Sequence, residues 1–271
     1  MKACFIGAGN MASALIGGLV AGGARPADLC AVDIDAGQRD RLAARHGVAT
    51  HESPEAALAG ADCVVLAVKP QQLPAVAASL APGIGGRLVV TIAAGVRIGD
   101  LSRWLGGHRR IVRAMPNTPA LIRQGISGLY AASEVGGEDR ELATRILGAV
   151  GEVLWVEHES MIDAVTAVSG SGPAYVFLCI EALEEAAIAS GFPAGQARAL
   201  AVSTFAGAGA LAAAESEPPA VLRARVTSRG GTTERGIAAL EAGGLRAAMR
   251  EAVAAALRRA VELGDESGRA A

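Results

Sequence analysis

The chain has 271 residues, of which 51% are hydrophobic, and its formal net charge at pH 7 is -2. This length is sufficient for two ordinary domains. Because the 25 basic residues form no block, we do not expect a surface that neutralises nucleic-acid phosphates; the expected partners are small molecules and further copies of the chain.

The first residues predict a strand, a tight turn and a helix. The apolar run 3–6 ends in Gly7-Ala8-Gly9-Asn10-Met11-Ala12, and a helix is predicted over 10–22. Gly7 allows the turn, Gly9 lets backbone amides approach a diphosphate, and Ala12 keeps the helix close to the strand. The helix directs its N-terminal amides and the positive end of its dipole at that anion. Glycines also occur in ordinary surface turns, but this position between strand and helix predicts dinucleotide binding.

The second predicted strand, 29–32, ends at Asp33, about where a ribose-binding acid is expected. An acid there repels a 2'-phosphate and favours NAD over NADP. Arg39 and Arg41 follow and could instead receive that phosphate, although a solvated helix face is the favoured interpretation for them. The sequence leaves the choice between NADP and NAD open.

Three more apolar runs, 63–68, 88–92 and 111–115, predict buried strands of a parallel sheet. They are followed by Lys69-Pro70, Ala93-Ala94-Gly95 and Pro116-Asn117-Thr118-Pro119. Alone, each loop is an ordinary strand end. Together with the glycine turn they predict a cofactor cleft, because ligands bind at the carboxyl ends of such strands. The remaining predicted elements of the sheet are a short strand 48–50, strands 127–132 and 153–156, and a helix 138–150.

From residue 160 the pattern is helical, with apolar spacing over 161–190, 193–215 and 246–264. We therefore predict a dinucleotide-binding domain over 1–159 and an all-helical domain over 160–271. Its helices are apolar on more than one side, which predicts a homodimer. The most apolar stretch is interrupted by Ser169–Pro173, so no membrane span is expected.

The helical half contains two segments rich in hydrogen-bond donors. Ser169-Gly170-Ser171-Gly172-Pro173 is predicted to break an apolar helix, and residues 226–234 precede a helix over 235–241. Thr232 or Thr233 is either a helix cap or, with Gly230 and Gly231, part of an amide nest that binds a carboxylate.

The cysteines and histidines give no sign of a metal site. The four cysteines lack paired spacing and are interpreted as small hydrophobes in a reducing cytoplasm. The chain begins directly with a strand, so we expect no cleavable signal and a cytoplasmic location. Solvated surface roles, in loops or at helix ends, are predicted for His46, His51, His108 and His158.

Six segments in order resemble pyrroline-5-carboxylate reductase: Gly7–Met11, Ala67–Pro70, Ile92–Val96, Arg113–Pro119, Ser169–Tyr175 and Thr227–Thr233. The resemblance covers nearly the whole chain, and its last two segments are the most specific. It implies a doubly wound Rossmann-type α/β domain followed by an all-α dimerisation domain. It also implies reduction of a cyclic imine, 1-pyrroline-5-carboxylate, to L-proline by NADPH or NADH, the last step of proline biosynthesis. The implied assembly is a homodimer, alone or within a ring of dimers.

The resemblance also implies the site residues. Those for the cofactor are Ile6, Gly7, Ala8, Gly9, Asn10, Met11, Asp33, Ala67, Val68, Lys69, Pro70, Ala93, Ala94, Gly95 and Asn117. Residues 93–95 and Asn117 would border the nicotinamide, and Lys69 would contact the cofactor or point to solvent. Those for the substrate are Ser171, Ser228, Gly230, Gly231, Thr232 and Thr233. The Thr233 hydroxyl is the candidate catalytic proton donor or orienter.

One position departs from the family pattern. Arg229 stands where the family usually has proline, which loosens the loop and adds a cation near the expected substrate carboxylate.

Two rival interpretations are weaker. A hydroxyacid dehydrogenase of similar plan would call for a lysine in the helical half, but no lysine follows Lys69. A non-catalytic nucleotide-sensing or scaffold protein would not need the two glycine-rich breaks, which cost helix stability.

Overall fold

The computed structural model describes residues 1–269 and contains one sheet of eight strands. The strands are β1 (Ala3–Ile6), β2 (Leu29–Val32), β3 (Ala49–His51), β4 (Cys63–Leu66), β5 (Leu88–Thr91), β6 (Ile111–Met115), β7 (Gly125–Ala131) and β8 (Gly151–Trp155). Their order is β3-β2-β1-β4-β5-β6-β7-β8, and the first six run parallel. β7 is antiparallel to β6, and β8 is parallel to β7.

Helices connect and follow these strands. They are α1 (Asn10–Ala21), α2 (Ala36–His46), α3 (Pro54–Leu58), α4 (Leu73–Ile84), α5 (Ile98–Trp104), α6 (Gly137–Gly148), α7 (Met161–Val165), α8 (Gly172–Ala189), α9 (Ala194–Ala214), α10 (Pro219–Arg225), α11 (Thr232–Ala242) and α12 (Leu245–Arg269). Short 3-10 segments and one π-helical segment, Thr166–Gly170, complete the described secondary structure.

The sheet has a hydrophobic core on each face, because successive strand residues point to opposite sides. On one face Phe5 and Val65 pack with α1, α2 and α6. On the other face Cys4 and Val64 pack with α3, α4 and α5. Since both faces are covered, the central strands are apolar without alternation, as a doubly wound sheet requires. The predicted fold class is confirmed.

Two details of the sheet differ from the prediction. The strand predicted over 63–68 ends at Leu66, because a 3-10 turn begins at Pro70. His51 was expected in a loop or at a helix end, but it is the last residue of β3, where its backbone carbonyl accepts a hydrogen bond from the Asp33 amide at 3.1 Å.

The predicted break at Ser169–Pro173 is found at Ser171, where one helical segment ends at Gly170 and the next begins at Gly172. Residues Thr166–Gly170 form a π-helix, and α8 follows from Gly172. The hydroxyls of Thr166 and Ser169 donate to carbonyls four residues earlier, at 2.8 and 3.0 Å, an arrangement that often bends helices. Pro173 lies in the first turn of α8, where its missing N–H does no harm.

The chain forms two compact units, one of residues Met1–Ser171 with the C-terminal residues from Ala255, and one of residues Gly172–Ala254. The predicted boundary at 159/160 stays a prediction, and it lies just before α7. In the second unit, α8 and α9 pack together, yet α8 has no fully buried residue and α9 has only Ala197 and Ala201. Large apolar side chains are left exposed, Phe177 by 65% and Leu178 by 64%.

Two helical stretches among the described residues are long and apolar enough to cross a membrane on length and composition alone. They are Met161–Ala189 and Ala194–Ala214, with 17% and 11% of their apolar windows buried. A helix that packs in a soluble protein can have the same properties, so these stretches are weak support for a span.

Candidate active site

The glycine turn after β1 has the geometry that a diphosphate site requires. Gly7 has φ +104°, and a Cβ there would lie 2.8 Å from the Ala67 carbonyl oxygen, so only glycine fits. Gly9 is the N-cap of α1, and a Cβ built on it meets no atom within 4 Å. Open space therefore lies beside Gly9 at the N-terminus of α1, where an anion is favoured.

The strand register brings the predicted cofactor segments to one edge of the sheet. Ile6 pairs with Leu66, and Leu66 pairs with Thr91. The ladder continues past the strands, because the Ala67 amide donates to the Ile6 carbonyl at 2.8 Å and the Ile92 amide to the Leu66 carbonyl at 3.1 Å. Segments 6–11, 67–70 and 93–95 thus follow neighbouring strands at the same edge.

Beside the glycine turn lies a cavity of about 200 Å³. Its lining includes Asp33 and Glu52, with apolar atoms of Ile6, Val32 and Val68. The volume and the apolar walls fit part of an adenosine group. The predicted cofactor residue Lys69 is exposed, and the cavity lining does not include it.

The Asp33 carboxylate is held by the backbone. One oxygen accepts from the Ala8 amide at 2.8 Å and the other from the Asp35 amide at 3.0 Å. The carboxylate therefore lies against the glycine turn, as a ribose-binding acid would. Arg39 donates to the carbonyls of Asp33 and Ile34, at 2.7 and 3.1 Å, so it braces this loop and is not merely part of a solvated face. Arg41 is exposed on α2.

Segment 93–95 follows β5 and is tightly held. The Ala93 amide donates to the Thr91 hydroxyl at 3.3 Å. Gly95 has φ +71°, and a Cβ there would lie 3.0 Å from the Leu263 Cβ on α12. Ala94, between them, is partly exposed.

The Asn117 carboxamide joins two neighbouring segments. Its Oδ1 accepts from the Ile126 amide at 2.9 Å, and its Nδ2 donates to the Ser169 carbonyl at 3.2 Å. Asn117 thereby ties β7 to the π-helical segment. Ser171 directly follows that segment, is partly exposed, and donates its amide to the Thr166 carbonyl at 2.8 Å.

The second unit carries the loop predicted to bind a carboxylate. Gly231 is the N-cap of α11, and Thr232 and Thr233 occupy its first turn, where helix amides lack carbonyl partners. The N-cap position is taken by Gly231, and both threonines lie inside the helix, so neither threonine is the N-cap residue. Ser228, Thr233 and the neighbouring Arg229 are exposed.

Both glycine amides of this loop already have partners within the chain. The Gly230 amide donates to the Glu234 carboxylate at 2.6 Å, and the Gly231 amide donates to the Ser228 carbonyl at 3.1 Å. Gly230 has φ +75°, and a Cβ on Gly231 would lie 2.5 Å from the Ser228 hydroxyl. The glycines thus form the turn, and the two threonines that follow it at the start of α11 are exposed.

The role of Glu234 was not predicted from the sequence. Its signal is an acid three residues after the helix N-cap, the position from which a carboxylate reaches back to loop amides. The acid also complements the positive end of the α11 dipole.

His46 ends α2, as predicted, but it is partly buried and has no purely solvated role. Its Nε2 lies 3.0 Å from the Ser13 hydroxyl, and a Cβ on Gly17 would lie 2.6 Å from its ring, so it packs between α2 and α1. Burial, with a smaller effect of Arg45, lowers the pKa of His46. Among residues 1–269, no group of three or more His, Cys, Asp or Glu side chains is placed to hold a metal ion.

Comparison with known proteins shows similarity over the whole chain. A family model described as pyrroline-5-carboxylate reductase dimerisation matches residues 159–263, and one described as NADP oxidoreductase, coenzyme F420-dependent, matches residues 2–95. The pyrroline-5-carboxylate reductase of Pseudomonas aeruginosa is 47% identical over 98% of each chain. That of Arabidopsis thaliana is 39% identical over 97% of this chain and 95% of its own.

Comparison with solved structures indicates the same family. A pyrroline-5-carboxylate reductase from Coxiella burnetii superposes with a TM-score of 0.93 at 42% identity, covering 97% of this chain and 98% of its own. The Plasmodium falciparum pyrroline carboxylate reductase, solved with NADP bound, gives a TM-score of 0.84 at 27% identity over the same shares.

Proposed function

The chain belongs to the pyrroline-5-carboxylate reductase family and reduces 1-pyrroline-5-carboxylate to L-proline with NAD(P)H, and we propose that the predicted site residues carry this reaction. The observation that supports the cofactor half is the edge of the sheet where the glycine turn meets segments 67–70 and 93–95. The tight turn at Gly7, which packs against the Ala67 backbone, and the open space beside Gly9 at the α1 N-terminus fit a dinucleotide diphosphate.

In this proposal each cofactor segment binds a different part of the dinucleotide. Amides in 7–11 hold the diphosphate, and Asp33 accepts from the ribose hydroxyls. Segment 67–70 lies along the cofactor, and residues 93–95 with Asn117 border the nicotinamide. The bound cofactor supplies the hydride that the ring imine carbon accepts. The protein has mainly to align the nicotinamide ring with the substrate ring.

The substrate half is assigned to the loop before α11 and to Ser171. The amides of Thr232 and Thr233, with the hydroxyls of Ser228 and both threonines, hold the substrate carboxylate at a helix N-terminus. Gly230 and Gly231 contribute by forming the turn. The Thr233 hydroxyl orients the ring nitrogen or donates its proton, and Arg229 adds positive charge that attracts the anionic substrate.

The helical half serves dimerisation in this proposal. We assign residues 160–271 to it and residues 1–159 to the cofactor domain. The exposed apolar faces of α8 and α9 are covered by a second copy and not by lipid, and the dimers either stand alone or form a ring. The proposed location is the cytoplasm.

The test is an assay that follows the absorbance of the reduced nicotinamide with the cyclic imine, run with NADH and NADPH in parallel. Purified protein should consume the cofactor only when the imine is present and should release proline. Oxidation of a hydroxyacid without turnover of the imine would instead point to the dehydrogenase alternative.

A further inference from the structure

A buried cation lies in the middle of the sheet. Arg113 of β6 is only 2% exposed, and its two Nη atoms lie 3.2 Å from Glu159 Oε1 and 2.7 Å from Asp163 Oδ1. A charge in such a position destabilises the fold unless it is paired and hydrogen bonded. Even so, the buried Arg113 Nε has no hydrogen-bond partner among the described residues. An apolar residue at this position of β6 would pack without the cost of burying a charge. The presence of Arg113 is therefore not explained by packing alone.

That reason lies in the second contact of Glu159. The same Oε1 atom accepts a hydrogen bond of 2.7 Å from the backbone amide of Ile98, the first residue of α5. Ile98 ends the segment that follows β5, which we call the nicotinamide segment, residues 93–98. Its start is held by the Thr91 hydroxyl, and Gly95 in its middle lies close to Leu263. At the remaining end the Arg97 side chain pairs with Asp265 at 2.8 Å, and Glu159 holds the backbone through the Ile98 amide.

We propose that Glu159, held in place by Arg113, is a positioning residue for hydride transfer. It sets the backbone of the nicotinamide segment, which in turn sets the angle at which the nicotinamide ring lies. The inference rests on the proposed function, in which residues 93–95 border that ring. Small errors of alignment reduce the rate of a transfer between two rings far more than they reduce binding.

A second ion pair, close to the first in the chain, supplies a control. Arg110, just before β6, forms a bidentate pair with the buried Asp139 of α6, at 3.0 and 2.7 Å. Arg110 is more exposed than Arg113, 45% against 2%, and its pair makes no contact with the nicotinamide segment among the interactions of the described residues. Its loss should therefore reduce stability alone.

The first test uses the protein without cofactor. Hydrogen–deuterium exchange of peptides that cover residues 93–98 is compared for the wild type, Glu159→Ala, Glu159→Gln and Asp139→Asn. Glu159→Ala should speed exchange in this segment on the order of tenfold, because the Ile98 amide loses its acceptor. Glu159→Gln, which keeps an oxygen acceptor, should stay near the wild type, and so should Asp139→Asn. Unchanged exchange in Glu159→Ala would overturn the proposal.

The second test is single-turnover hydride transfer, with the Kd of the reduced nicotinamide measured separately by fluorescence. Glu159→Ala should slow transfer roughly tenfold while Kd changes by less than about threefold, and Glu159→Gln should recover most of the rate. Asp139→Asn should lower Tm and leave the rate unchanged. If Glu159→Ala slows transfer no more than Asp139→Asn does, Glu159 is merely structural and the proposal fails.

A substitution within the segment separates this inference from the site assignment. Ala94→Leu places bulk directly in the nicotinamide segment and should slow transfer. If it does so while Glu159→Ala does not, only the positioning role is wrong. If Ala94→Leu has no effect, residues 93–95 do not border the ring, and both assignments fail.

Discussion

At the scale of single residues, Asp33 is the side chain on which cofactor preference depends most. Its carboxylate is fixed against the Ala8 amide, and Glu52 lines the same cavity. A 2'-phosphate bound there would meet two carboxylates, whereas ribose hydroxyls would find an acceptor. We therefore expect the enzyme to accept NADH as a hydride donor.

Asp33→Ser should shift the ratio of kcat/KM values towards NADPH on the order of tenfold, since about 1.4 kcal/mol of repulsion is removed. The matched control is Asp35→Asn, because Asp35 caps α2 by accepting from the Gln38 amide and does not line the cavity. An unchanged ratio in Asp33→Ser would place the 2'-position away from Asp33.

At the scale of elements, the loop before α11 illustrates what spacing alone could and could not predict. The glycines and threonines at a helix start were readable from the sequence. That the Gly230 amide is bound to Glu234 was not, because it depends on a left-handed turn at Gly230 that brings the two groups together. The groups predicted to bind the substrate carboxylate are therefore those of Thr232 and Thr233, and not the glycine amides.

Thr233→Val keeps the side-chain volume and removes the hydroxyl, leaving a partner in the bound state unsatisfied at a cost of about 1 to 3 kcal/mol. We expect kcat/KM for the imine to fall about ten- to a hundredfold, with cofactor Kd nearly unchanged. The control is Thr227→Val, because the Thr227 hydroxyl donates to the Arg223 carbonyl at 2.6 Å and serves the helix end. A loss of Tm without a kinetic effect in Thr233→Val would leave Thr233 a structural role only.

The strands could be predicted from the sequence, whereas the π-helical segment could not. Strands β1, β4 and β5 were predicted because they are short apolar runs bounded by glycine, proline or polar residues. The π-helix was not, since Ser and Gly within an apolar helix ordinarily indicate a break. The Arg113 network was also beyond prediction, because Arg113 is 46 and 50 residues away from its two acidic partners in the chain.

At the scale of the whole molecule, the described chain leaves more apolar surface uncovered than a monomer in water usually does. The uncovered side chains are concentrated in α8 and α9, including Phe177, Leu178 and Leu211 at 52% exposure or more. The match of residues 159–263 to a dimerisation domain accounts for this surface, and it accounts equally for the two stretches that would be long enough to span a membrane.

If a second copy covers α9, a charge placed on it should separate the subunits or unfold the helical half. Ala206 and Ala208 of α9 are exposed in the single chain, so Ala208→Glu introduces no clash within it. We expect its mass by light scattering to fall from a multiple of two chains towards 27.2 kDa, or its Tm to fall sharply. Ala44→Glu, an equal change at an exposed position of α2, should alter neither. A wild-type protein that is monodisperse, active and of single-chain mass without detergent would refute the dimer, whereas a requirement for detergent would indicate that lipid covers these helices instead.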